Sequence, residues 1–136
     1  MRLAVGVVCL LMGGATKVGA QTRIDVPGRM GGHVSDHVHQ YRALAQQGYE
    51  LRVPPGECRS ACTTVLGLQK DRVCISPGAT LMFHKARLPD QTAVMWGSYP
   101  LQLRNVLLAR GGLPDFGRGW LRLDASDLWA LGFRRC

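Results

Sequence analysis

Glycine and proline cut this chain into short pieces, and that punctuation limits its folds more than any other feature. Pro27-Gly28, Gly31-Gly32, Gly48, Pro54-Pro55-Gly56, Ser76-Pro77-Gly78 and Gly111-Gly112 separate apolar runs that are each no longer than a strand or a short helix. Glycine admits backbone angles closed to other residues, and proline removes a donor and fixes φ, so regular structure stops at such sites. Between the stops, Thr22 to Val26 and Tyr49 to Val53 read as strands, as do Arg72 to Ile75 and Thr80 to His84. Val34, Val38, Tyr41, Leu44 and Ala45 form one apolar stripe, which predicts a helix from about Val34 to Gln47, stopped by Gly48. Ser60 is suited to cap a short helix burying Ala61, Val65 and Leu66, and Ser98 to cap a helix through Arg110 that Gly111-Gly112 would end. Asp124 caps a last helix to Ala130, with Asp127 in its first turn. Strands alternating with helices predict one α/β domain over residues 21–136, with a short, partly parallel sheet and flanking helices.

Residues 1–20 stand apart. Met1-Arg2 is a positive start, Leu3 to Ala15 is apolar, and Val18-Gly19-Ala20 resembles a small-residue cleavage site. This is the shape of a secretory signal peptide cleaved between Ala20 and Gln21, and it predicts an exported, periplasmic protein. The apolar run falls short of the roughly 20 residues a membrane span needs, so no stable span is expected after cleavage. Cleavage removes Cys9 and leaves Cys58, Cys62, Cys74 and Cys136, an even set that in an exported chain points to disulfides. The favoured bridge is Cys58–Cys62, flanking Ser60; the alternative joins one of these two to Cys74, with Cys136 paired elsewhere or free.

The formal charge of +8 raises nucleic acid as a partner. The cations are scattered singly, however, and the longest Lys/Arg run is Arg134-Arg135, which is no phosphate-tracking stripe. No nucleic-acid partner is expected. Nor is a metal or other cofactor: His33 and His37 with Asp36 and His39, or Cys58, Cys62 and Cys74 with His84, are loosely spaced sets without a second tight pair. Solvated helix positions account for the helical histidines.

Three features stand in an order suited to acyl transfer. Gly31-Gly32 lies between a strand and a helix, where bare N–H groups can face a ligand. Ser60 lies where a strand passes into a helix, and His84 ends the apolar strand Leu81-Met82-Phe83. A serine becomes nucleophilic when a base takes its proton, and the oxyanion that follows needs donors already in place.

Gly31-Gly32-His33-Val34, Cys58-Arg59-Ser60-Ala61-Cys62, Arg72-Val73-Cys74-Ile75 and Ala79 to Ala86, with a weaker stretch from Leu123 to Leu128 and Leu131-Gly132, resemble the Clp protease proteolytic subunit and crotonase superfamily, in particular its exported bacterial members. The resemblance implies a crotonase-like fold, Ser60 as nucleophile, His84 as base, and the N–H groups of Gly32 and Ala61 as oxyanion hole. It also implies a peptide or acyl substrate and a homo-oligomer; the apolar helix Leu101 to Leu108 is suited either to such an interface or to packing on the sheet. In the family an acidic residue before the last small helix orients the histidine. Trp120 stands at or near that position here, which leaves Asp115 and Asp124 as the candidate acids. The family's strand–helix unit before the Gly-Gly turn is missing, so the expected fold is trimmed on its N-terminal side.

Overall fold

A computed structural model describes residues 22–136. The segment read as a signal peptide, the expected cleavage site and Cys9 lie outside the described residues. Seven strands and four α-helices follow in the order β1 (Arg23–Asp25), α1 (Val34–Gln46), β2 (Glu50–Val53), β3 (Gly56–Arg59), a 3-10 helix (Ser60–Gly67), a 3-10 turn (Lys70–Arg72), β4 (Val73–Ile75), β5 (Ala79–Phe83), α2 (Pro89–Ser98), α3 (Leu101–Ala109), β6 (Leu121–Asp124), α4 (Ala125–Ala130) and β7 (Arg134–Arg135).

The strands form two sheets. The first has the order β1-β2-β4-β7 and is parallel throughout; the second, β3-β5-β6, pairs β3 with β5 in parallel and β5 with β6 antiparallel. The chain passes from the first sheet to the second twice, at Pro54-Pro55 between β2 and β3 and at Ser76-Pro77-Gly78 between β4 and β5. Proline cannot continue a ladder, so each strand is ended where the chain must change sheet. The two crossings are tied together by the Gly56 N–H, which donates to Gly78 O at 3.0 Å.

Leu51, Val53, Val73 and Ile75 of the first sheet and Cys58, Leu81, Phe83 and Leu123 of the second are fully buried. They share one core with Tyr41, Val65, Leu66, Leu103, Leu107 and Leu128. Each such side chain contributes about 1.5–3 kcal/mol through burial. Helix α1 turns Val34, His37 and Tyr41 inward, and the Tyr41 hydroxyl donates to Pro27 O at 2.7 Å. Glu50 is nearly fully buried and accepts from Arg23 at 2.8 Å and Arg134 at 2.7 Å, so one carboxylate joins β1, β2 and β7. A buried charge demands such pairing. Asp124 caps α4 in a reciprocal box with Asp127, as its position predicts.

Two bridges close the cysteine set, Cys58–Cys62 with Cα atoms 5.4 Å apart and Cys74–Cys136 with Cα atoms 5.0 Å apart. The first is the favoured pairing, and the alternative of Cys58 or Cys62 joined to Cys74 is not formed; Cys74–Cys136 instead fixes the two-residue strand β7 beside β4.

One predicted helix is corrected. The stretch from Ser98 to Arg110 is broken at Pro100, because proline pushes the preceding Tyr99 to an extended conformation, φ −76° and ψ 138°. Ser98 therefore ends α2, its hydroxyl donating to Met95 O at 2.6 Å, and caps nothing. On α3, Leu103 and Leu107 enter the core, whereas Leu101 and Leu108 stay exposed. Among the described residues no helix is long and apolar enough to cross a membrane.

Candidate active site

Strand β3 runs parallel to β5 with Arg59 opposite Met82. Ser60, one residue past Arg59, and His84, two residues past Met82, therefore leave the two strands at the same sheet end. The Ser60 hydroxyl lies 2.8 Å from His84 Nε2. With Nε2 unprotonated, the hydroxyl donates and the imidazole accepts, the arrangement a general base requires.

Ser60 is not the helix cap its position suggests. Arg59 occupies that place without any side-chain capping bond, and the serine hydroxyl is turned toward the histidine instead. Ser60 has φ +52°, and among the described residues it alone, apart from glycines, has positive φ. Holding a side-chain-bearing residue there costs on the order of 1–3 kcal/mol and requires the surroundings to over-determine it. They do. The Cys58–Cys62 bridge brackets the turn. The Thr63 hydroxyl donates to Ser60 O at 2.6 Å and also lies 2.5 Å from the Tyr99 hydroxyl, while Thr64 donates to Ala61 O at 2.7 Å. Glu57 pairs with Arg59 at the start of the turn.

The Gly31-Gly32 turn closes over Ser60. A Cβ at Gly31 would come within 3.3 Å of both Arg59 O and the Ser60 Cβ, and one at Gly32 within 2.9 Å of the His37 ring. Both glycines have positive φ, +96° and +148°, so substitution would be strained as well as crowded. The Gly31 N–H closes a turn on Gly28 O at 3.1 Å, whereas the exposed Gly32 makes no backbone hydrogen bond with its N–H. Ala61 lies in the first turn of the 3-10 helix, yet it is fully buried and does not line the cleft. Gly32 thus lines the same cleft as Ser60, whereas Ala61 is fully buried.

His37 departs from expectation. It is buried, not solvated, with Nδ1 2.9 Å from His33 O and Nε2 3.1 Å from Gly28 O. The ring underpins the turn that presents Gly31 and Gly32. Among the described residues no three His, Cys, Asp or Glu side chains gather where a metal ion could be held. Cys58, Cys62 and Cys74, once considered with His84 as a set, are consumed by disulfides.

His84 is 6% exposed, and burial lowers its pKa from the ordinary 6.5, which favours the neutral, proton-accepting form. Neither candidate acid serves it. Asp115 pairs with Lys85 at 2.9 Å, which holds its carboxyl below the usual range. Asp124 lies opposite Thr80, at the far end of β5 from His84, and its carboxylate accepts from the Ser126 hydroxyl at 2.7 Å and the Asp127 N–H at 3.0 Å. The imidazole is held by aromatic rings instead. Trp120 stacks on it with centroids 4.1 Å apart and planes 28° from parallel, and Phe116 lies 5.3 Å away.

These groups face a cleft of about 520 Å³ lined by Gly31, Gly32, Ser60 and His84 on one side and Met30, Ala86, Arg87, Phe116 and Trp120 on the other. Met30, Arg87 and Phe116 escape a reading of the sequence, which has no motif for them. The available signal is two large aromatics set among Gly117 and Gly119, a composition that leaves apolar side chains on an exposed loop. Comparison with protein-family models, with curated sequences and with solved structures returns no match for this chain.

Proposed function

We propose that this chain is an exported serine hydrolase, a peptidase or esterase of the Clp protease and crotonase type, acting through a Ser60–His84 dyad. One observation carries the reading: the 2.8 Å contact between His84 Nε2 and a Ser60 hydroxyl held at positive φ beside a Gly-Gly turn. A strained serine on a strand-to-helix turn, tied by a disulfide and aimed at a buried neutral histidine, is more than a cap or a stray polar pair explains. The two disulfides suit an oxidising compartment.

In the proposed reaction the Ser60 Oγ attacks the substrate carbonyl carbon while its proton passes to His84 Nε2. The carbonyl oxygen becomes an oxyanion and accepts from the Gly32 N–H. Collapse expels the leaving group, which takes the proton from His84 and leaves an acyl-serine. Water, deprotonated by the same nitrogen, then releases the acid and restores the hydroxyl. Trp120 takes over the positioning that a carboxylate performs elsewhere. Its ring confines the imidazole plane, and its π face stabilises the transient imidazolium by about 0.5–2 kcal/mol. That is less than a buried carboxylate supplies, so turnover should be slow.

The absence of a carboxylate among the hydrogen-bond partners of His84 favours a second reading, a binding module of the same fold without turnover. Labelling of the oxidised protein with a fluorophosphonate distinguishes the two. The dyad predicts covalent modification confined to Ser60 and lost in a folded Ser60→Ala variant. No labelling of well-folded protein supports the binding module.

A further inference from the structure

We infer that the cleft selects acyl substrates that carry an anionic group, held by Arg87 a few atoms from the carbonyl that Ser60 attacks. The inference rests on the Ser60–His84 reading and adds the substrate class.

Arg87 is the one permanent charge among the cleft-lining residues, and no carboxylate lines it. The guanidinium lies over the Phe116 ring at 5.2 Å from its centroid. A guanidinium resting over an aromatic ring can still offer N–H donors to a carboxylate. Asp115, which lines an adjoining groove together with Arg87, is already engaged by Lys85. Arg87 has no ion pair or hydrogen bond with any described residue, and it also borders the two grooves adjoining the cleft.

The remaining wall is apolar. Met30 is 65% exposed and Phe116 49% exposed, large apolar surfaces left open at the mouth of a site. An apolar acyl chain can lie across them with its carbonyl at Ser60 and Gly32 and a terminal carboxylate at Arg87. A cationic substrate would meet Arg87 with no carboxylate on the lining to offset it, a repulsion that discriminates as effectively as an attraction.

The test compares 4-nitrophenyl esters of hexanoic acid, adipic acid (as the monoester) and 6-aminohexanoic acid, which share chain length and differ in end charge. With the full oxidised chain at low salt, kcat/KM is expected to be about tenfold higher for the adipate than for the hexanoate, and lowest for the cationic ester. Arg87→Gln should bring the adipate-to-hexanoate ratio near one, and Arg87→Glu should place the cationic ester above the anionic one. A wild-type ratio of one or below, or an order unchanged in Arg87→Glu, would overturn the inference. Where ester turnover is too slow to measure, the anionic monoamide of adipic acid and neutral hexanamide are compared as protectants against fluorophosphonate labelling of Ser60. Equal protection then defeats the anion preference while the dyad stands; no labelling at all defeats the dyad and the inference together.

Discussion

Two segments meet over the cleft and are built in opposite ways. The Ser60 turn is tied by a disulfide, by two threonine hydroxyls to its own carbonyls and by the close approach of Gly31. Segment 113–120, which brings Phe116 and Trp120 against His84, is exposed, contains Gly117 and Gly119, and is anchored by the Lys85 N–H on Pro114 O at 2.8 Å and by one exposed ion pair. Ser60 thus sits on a closely tied, strained support, and the wall facing it is held by few bonds. Under the proposed chemistry, the closely tied side is the one where bond making needs fixed geometry.

The two disulfides offer the sharpest way to break this contrast. In the chain-entropy picture the 62-residue separation of Cys74–Cys136 stabilises by about 4 kcal/mol and the 4-residue separation of Cys58–Cys62 by about 2 kcal/mol. The functional order should be reversed. Cys58→Ala/Cys62→Ala should slow Ser60 labelling about 100-fold, the loss expected when a catalytic geometry shifts by about 1 Å. Cys74→Ala/Cys136→Ala should leave labelling of the folded fraction within about threefold. Urea unfolding and labelling rates, measured on both variants, decide it. Losses in the same order would show that the short bridge has only a structural role.

Trp120→Leu tests the lightly anchored side, with an expected loss of about tenfold in kcat, the equivalent of the stacking it removes. Because burial is what lowers the His84 pKa, uncovering the ring should move the acid limb of the pH–rate profile upward, toward 6.5. The same burial makes folding pH-dependent. The unfolded chain takes up the proton first, so the contribution of His84 is complete above 6.5 and is lost as pH falls through its lowered folded value. Thermal unfolding of wild type and Trp120→Leu between pH 7 and pH 5 should show the smaller pH dependence in the variant.

The smallest effect concerns strain. Ser60→Gly should raise stability by about 1 kcal/mol while abolishing labelling, since glycine accepts φ +52° without penalty. A serine serving the fold, through a cap or a needed hydrogen bond, would instead lose stability on this change.

What was legible in the sequence divides along the same line. Helix α1 follows from its Val34 to Tyr41 stripe, and α4 from the Asp124 and Asp127 pair, because each depends on residues within a turn or two. Strand β3 was not legible: Gly56–Arg59 has no alternation, and its partner β5 begins at Ala79. Strand β7 is two exposed arginines aligned by pairing with β4 and the neighbouring Cys136 bridge. The serine and histidine could be ordered along the chain by resemblance, but their contact depends on β3–β5 register, a long-range property. The failure at His37 has a similar cause. Its helical spacing reads as solvated, and only the turn folding back from Gly28 to Gly32 buries it. For the acid, the resemblance leaves Asp115 and Asp124 only as candidates, and the structure pairs both with nearer neighbours.

The most direct test of the dyad is the second-order rate of fluorophosphonate labelling as a function of pH, in wild type and in His84→Gln. The dyad predicts modification of Ser60 alone, with an acid limb whose midpoint lies below 6.5. It also predicts a fall of about 10²–10⁴-fold in His84→Gln together with loss of that limb. Labelling of equal rate in both proteins, or a wild-type rate that ignores pH across the histidine range, would contradict the assignment of His84 as the base that activates Ser60.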